Sequence, residues 1–439
     1  MRDILVVGIV LAGSLYALRQ PWVGVILWTW VSLMNPHSLT YGFALSFPVA
    51  AIAAIATVIG LLMTKERENP FSESPAVWLA LFVVWICIGY PFSYNVDGSW
   101  EMLTKVLKID IMVLVTLMIL KSRRHIELFV WVVVASLGFY GVKGGIFTIA
   151  NGGNYRVWGP GGFIGGNNEL ALALIMIIPF MRYLQLQATN KWIRHGLSLA
   201  MLLTAAASLG SHSRGALLAI AAMAFYLWLK SAKKLTFGIA LACAGIGLII
   251  FMPEQWSDRM NTIQTYEQDS SAMGRINAWW VAFNVAKEHL TGAGFDMYNF
   301  EIFARFAPDP LDVHAAHSIY FQVLGEHGFI GLFLFLLIWL STWRTASWLI
   351  KNGTAIPEAV WCRDLGAMCQ VAMIGYLVGG AFLSLAYFDL PYNILAIAVL
   401  AKQWVLKHRF TESTELNPAK SNPLNTYLPS SGKPSIFRP

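Results

Sequence analysis

Apolar runs long enough, or nearly long enough, to cross a bilayer recur along almost the whole of this chain. They fall near 4–18, 21–34, 46–63, 76–93, 105–121, 125–150, 168–186, 194–210, 213–230, 235–252, 317–348, 365–388 and 391–406. So many runs are a series of membrane spans, not one aqueous core. The pattern predicts an all-α polytopic membrane protein and excludes a soluble one. Composition agrees, with 57% apolar and 13% charged residues, where a soluble domain carries about a quarter charged.

The net charge of +7 does not point to nucleic acid. The basic residues sit in short clusters between the apolar runs, at 121–125, 191–195, 230–234 and 407–409, as the positive-inside rule predicts. With all four in the cytoplasm, the segments 94–104, 151–167, 211–213, 253–316 and 388–390 share the opposite side. Residues 1–34 then make one net crossing, for about twelve spans in all. The expected divisions are an N-terminal bundle over 1–252, an outer loop over 253–316, C-terminal helices over 317–410 and a disordered tail over 411–439. Cys87, Cys243, Cys362 and Cys369 show neither disulfide nor zinc spacing and read as small core residues.

Four stretches on the outer side carry polar chemistry. Residues 272–289 have apolar positions at helical spacing (Ile276, Trp279, Trp280, Phe283, Ala286), predicting an amphipathic helix that lies on the bilayer or caps the bundle. Arg275 stands near its start, where a cation opposes the helix dipole unless an anion is close. His314 and His317 can share one helix face, as a metal pair, an acid/base pair or a structural pair. The stretch Ser211-His212-Ser213-Arg214-Gly215 puts a cation at the membrane boundary, where a charge needs a partner. Tyr155 to Gly162, with Arg156, leads into Gly165-Gly166-Asn167-Asn168-Glu169, a backbone open to close approach or a plain re-entrant turn. Gly292-Ala293-Gly294 lacks a phosphate-loop pattern and reads as a turn. Arginines, histidines and glycine-rich backbone on one face suit a phosphorylated, membrane-embedded anion.

These residues resemble a known family. Ser-x-Ser-Arg-Gly at 211–215, Arg275 before an aromatic helix, His-Ser-x-Tyr at 317–320 with Glu326-x-Gly328, and Gly-Asn-Asn-Glu at 166–169 are similar to the O-antigen ligase and polymerase superfamily. Residues 28–41 look like a subgroup of O-glycosylation ligases associated with exosortase systems. The resemblance implies a bundle of the GT-C kind with a large periplasmic loop, in a bacterial inner membrane. It implies transfer of a glycan from undecaprenyl pyrophosphate to a sugar hydroxyl of lipid A–core. By the same resemblance His317 matches the catalytic histidine, Arg214 and Arg275 match pyrophosphate-binding arginines, and Arg156 and His314 match less closely. Ser318 stands where the family usually has Asn. No cofactor and no metal is expected, the arginines carrying the electrostatic role. The other readings are a polymerase, a protein O-oligosaccharyltransferase, and, in another class, a lipid or polysaccharide transporter, which would place its polar residues at the midplane.

Overall fold

The computed structural model describes residues 1–231, 233–254, 256, 270–354 and 357–416. Among the described residues there are helices and turns and no strand. The helices are α1 (Arg2–Ala17), α2 (Pro21–Met34), α3 (Val49–Met63), α4 (Ser74–Gly89), α5 (Val96–Ile119), α6 (Arg123–Ala150), α7 (Asn167–Gln187) and α8 (Lys191–Leu209). There follow α9 (Arg214–Lys230), α10 (Lys234–Phe251), α11 (Ser270–Glu288), α12 (Phe300–Phe306), α13 (Ile319–Asn352), α14 (Val360–Gly379) and α15 (Asp389–Leu416). Among the described residues, five helical stretches are long and apolar enough to cross a membrane: Ser74–Phe92, Arg123–Ala150, Asn167–Gln187, Ile319–Asn352 and Pro357–Phe382. The protein is a helical membrane protein. Helices α1, α2 and α3 have 16, 14 and 15 residues, which at 1.5 Å per residue falls short of a hydrocarbon core of about 30 Å.

The grouping by charge appears in the contacts. At one end, Lys121 lies 3.8 Å from both Glu66 and Glu68, Lys407 pairs with Glu68 at 2.7 Å and Lys402 with Glu73 at 2.6 Å. Arg123 reaches Gln187 nearby, and two of the four basic clusters, 121–125 and 407–409, meet around the 64–73 connection. At the other end Tyr94 N donates to Ala293 O, Val157 N to Gly210 O, and Phe163 packs on Phe388.

The start of the chain differs from expectation. Asp3 accepts hydrogen bonds from Gly42 N and Ala44 N at 3.0 and 3.2 Å, so α1 begins where α2 ends. Residues 1–34 form an antiparallel pair that returns to its own side, and the expected net crossing is absent. Helix α5 starts well before its apolar run because Asn95 caps it, accepting from Gly98 N at 2.9 Å. Helix α15 continues to Leu416, past the expected start of the tail at 411. The rest of that tail lies outside the described residues, as does 257–269 of the outer loop.

Two helices fill the middle. Every residue of α7 from Leu170 to Ile177 is buried, and so is every residue of α15 from Leu390 to Ala401. Apart from Asn393 on α15 both stretches are largely apolar all round, as suits an enclosed helix. Helices α6 and α8 pack closely because Gly145 faces Leu203 O, where a Cβ would lie only 2.1 Å from the oxygen. Cys362 and Cys369 are buried as expected, whereas Cys87 and Cys243 are exposed on α4 and α10, so the core reading fails for those two. A thiol behaves as a small hydrophobe, and an apolar outer surface accommodates it.

Candidate active site

Helix α13 is broken, and the break organises the site. Gly328 has φ 69° and ψ −173° inside it, a conformation open to glycine, and a Cβ there would meet Leu290 O at 2.2 Å. Residues 319–327 are thus a separate half-helix whose last carbonyls need outside donors. Ala293 N donates to Gly325 O, Gly294 N to Glu326 O, and Trp85 Nε1 to His327 O, at 2.9, 3.0 and 2.9 Å. The Gly292-Ala293-Gly294 segment is a turn, as read from the sequence, and its further part is to cap this half-helix.

The half-helix starts beside the functional candidates. His317 stands just ahead of it at φ 42°, a left-handed conformation that is costly for a histidine. Ala316 O is held by Trp279 Nε1 at 2.7 Å, and Trp279 stacks on Phe321 with centroids 4.9 Å apart. Helix α11 therefore fixes the backbone on both sides of His317. Asn277 ties it further, donating to Asp309 O and Asp312 O at 2.7 and 3.0 Å. His314 Nδ1 lies 2.9 Å from Asp312 Oδ1. Gly274 lets the His314 ring approach α11, since a Cβ there would stand 2.5 Å from Nδ1.

Arg275 and His314 both act electrostatically on His317. Burial first, then the Arg275 cation and then His314, push its imidazole down to about 4. His317 is consequently neutral at pH 7 and able to accept a proton. Arg275 itself sits in the second turn of α11, because the helix begins at Ser270. The dipole penalty expected there is thus weaker than the sequence suggested.

The expected face of α11 is only partly buried: Ala286 is buried and Ile276 and Trp279 are half-buried. Ala278, Val281, Ala282 and Val285 are buried, while Trp280 and Phe283 are exposed. Close packing decides this: a Cβ on Gly325 of α13 would meet the Ala282 side chain at 3.0 Å, a gap that no aromatic ring could occupy. The helix leans on the half-helix and does not lie alone on a surface.

Arg214 is the first residue of α9, whose N-cap Ser213 accepts from Ala216 N at 3.2 Å. The turn before it is tied on several sides. Asn167 Nδ2 donates to Ser211 O at 2.7 Å, the His212 ring bonds Gly153 O at 2.8 Å, and Trp256 Nε1 donates to Leu209 O at 3.2 Å. His212 is buried at φ 58° and holds the glycine-rich loop against this turn. The α9 and α13 starts meet through residues 379–382. Gly215 faces Phe382 Cβ and Gly379 O at 3.3 and 3.8 Å, and Gly380 faces Ile319. Tyr320 Oη donates to Leu377 O at 2.8 Å on the same strip.

The structure brings Arg275, His314 and His317 together and sets the Arg214 turn across residues 379–382 from them. Arg156 is different: it is exposed and lines a groove with Lys143, Phe147 and Trp158. Glu326 is buried in a bracket, accepting from Tyr387 Oη and lying 3.5 Å from Gln322 Nε2, while Gln322 Oε1 accepts from Ala386 N. It locks the half-helix to the 383–388 segment. His327 is enclosed by Phe82, Phe295 and Tyr387. Sequence reasoning singled out the stretch that holds Asn167 but missed Tyr387, a polar residue with no local pattern.

Residues 1–189 match a family of unknown function, DUF5935, and no curated protein matches the chain. Residues 199–336 match the O-antigen ligase family. Arg214, Arg275 and His317 all lie within the residues that match the O-antigen ligase family, which supports the resemblance to that superfamily there.

Proposed function

We propose that the protein is an O-antigen ligase, an inverting and metal-independent glycosyltransferase that works at the periplasmic face of the bacterial inner membrane. Its donor is a glycan on undecaprenyl pyrophosphate, and its acceptor is a sugar hydroxyl of lipid A–core. The observation that carries this reading is a neutral His317 held in a strained backbone beside Arg275, with the Arg214 turn across a shared strip.

In this mechanism the acceptor hydroxyl attacks the anomeric carbon while its proton passes to His317. The bond from that carbon to the pyrophosphate oxygen breaks, and undecaprenyl pyrophosphate leaves as an anion. Arg214 and Arg275 stabilise the charge as it develops, through charge-assisted hydrogen bonds. A good leaving group needs no protonating acid. A positioned base contributes about 10²–10⁴-fold. His314, oriented by Asp312, keeps the His317 side of the site in shape.

The test is transfer by purified protein from an undecaprenyl-pyrophosphate glycan to lipid A–core, with EDTA present, for wild type and His317→Ala. Glycan on the acceptor with wild type and not with the variant is the expected result. Folded, donor-binding protein that instead extends a second lipid-linked glycan, or glycosylates a protein, would replace the ligase with a polymerase or a protein transferase.

A further inference from the structure

We infer that a sideways-opening groove between α1, α2 and α6 seats the phosphorylated head of a second membrane lipid, which on the transferase reading above is the acceptor. The groove encloses about 650 Å³, with Leu5, Trp30, Met34, Leu39 and Phe139 as walls and Arg2 and Lys143 among its lining. A second lobe of about 280 Å³ shares Leu39 and Lys143 and adds Arg156. Both lobes belong to the part of the chain that matches a family of unknown function.

Three observations favour a lipid head. First, Arg2, Lys143 and Arg156 have no ion-pair partner among the described residues. The nearest acid in sequence, Asp3, is turned toward Gly42 N and Ala44 N. Second, the walls are apolar, and the neighbouring surface is too, with Ile4, Phe139 and Ile146 exposed on α1 and α6. Basic pockets between membrane helices bind phosphorylated heads in this way, and a soluble anion would gain nothing from such walls. Third, the loop that carries Arg156 is bonded to the turn that leads into the reacting centre's first cation, Arg214. Val157 N bonds Gly210 O at 3.1 Å and Gly153 O meets the His212 ring at 2.8 Å, both on the turn that leads to Arg214. A lipid head in the groove would therefore stand one loop away from the donor's pyrophosphate. Transfer between two anionic lipids needs two such seats at one mouth.

The full chain in phosphatidylcholine nanodiscs provides the test, with three probes: lipid A–core, the same glycolipid after phosphatase treatment, and undecaprenyl pyrophosphate. Lipid A–core should bind more tightly than its dephosphorylated form. Arg2→Glu and Lys143→Glu should each weaken lipid A–core binding about tenfold or more, the scale of one charged hydrogen bond. Lys143→Arg should restore it, and undecaprenyl pyrophosphate binding should not change. In the transfer assay the same variants should raise the acceptor KM and leave kcat near wild type. Equal binding of the phosphorylated and dephosphorylated forms would overturn the proposal. So would charge-reversal variants that lose undecaprenyl pyrophosphate instead, which would make the groove the donor's. Phosphate-dependent binding that depends on Lys143, in a protein that transfers nothing, would support the groove and count against the transferase reading.

Discussion

At the scale of single residues, His317 has the most constrained position. Its backbone is left-handed, its neighbours are tied by Trp279 and Asn277, and its proton affinity is lowered by burial and by Arg275. A histidine whose pKa is about 4 in the folded chain loses its proton well below its ordinary value. The acid limb of kcat/KM should therefore lie near pH 4, where a plain histidine would place it near 6.5. Donor pyrophosphate beside Arg275 should offset that cation, so the limb in kcat should move to higher pH. A pH–rate series from pH 4 to 8 separates the two, and coincident limbs near 6.5 would mean a solvated imidazole. Stability shifts the same way. The unfolded chain holds the proton to higher pH than the folded chain, so stability rises from pH 4 to 6.5 and is flat above. Arg214→Ala and Arg275→Ala should each lower transfer by about 10²–10³-fold, the scale of one removed charge-stabilising donor. Single-turnover rates on membrane-inserted protein would check this. These residues were legible in the sequence because a charge or a histidine stands out in apolar surroundings. Arg156 stood out equally, yet its side chain faces another groove, since loop path and not sequence distance decides where it points.

At the scale of elements, the interrupted helix α13 and the α6–α8 contact govern the architecture. Gly328→Ala places a side chain at φ 69° and 2.2 Å from Leu290 O, so both strain and clash oppose it. A loss of about 1–3 kcal/mol is expected from the conformation alone. Thermal unfolding in detergent would read it, and an unchanged midpoint would mean the half-helix is not fixed by this residue. Gly145→Leu should separate α6 from α8, where Leu203 O leaves no room, and lower the same midpoint. Hydropathy revealed these helices, and charge sorted most of their ends. It did not reveal the break in α13, because no proline marks Gly328 and glycines also stand at 325 and 331 inside the helix. Nor did it reveal the whole buried face of α11. Aromatic spacing pointed to Trp280 and Phe283, whereas the partner helix accepts only small side chains there. An apolar surrounding removes the usual rule that large apolar groups must point inward.

At the scale of the whole molecule, sidedness is the property to measure. Basic clusters meet the 64–73 connection at one end, and the loops around His317 gather at the other, together with residues 1–3 and 35–45. A chain with Cys87 and Cys243 replaced by Ala, carrying Tyr41→Cys, should react with an impermeant thiol reagent added outside the inner membrane. One carrying Glu66→Cys should react only after lysis. The reverse pattern would invert the orientation. Charge grouped 121–125 with 407–409, as the contacts do, whereas over 1–34 Arg2 suggested the basic side. A single arginine is weak against two short helices held by Asp3 and their packing on α3.

Helix α15 is enclosed from Leu390 to Ala401, yet it is made after every described helix that encloses it. During synthesis the earlier helices must therefore wait in the bilayer around an unfilled slot, occupied by acyl chains or shielded by an insertion factor, until the last segment slides in. Completion of the bundle is a late, single event. A nascent chain stalled before residue 389 would show quality-control proteases a hollow assembly, and a missing α15 would remove the protein long before any catalytic defect was felt.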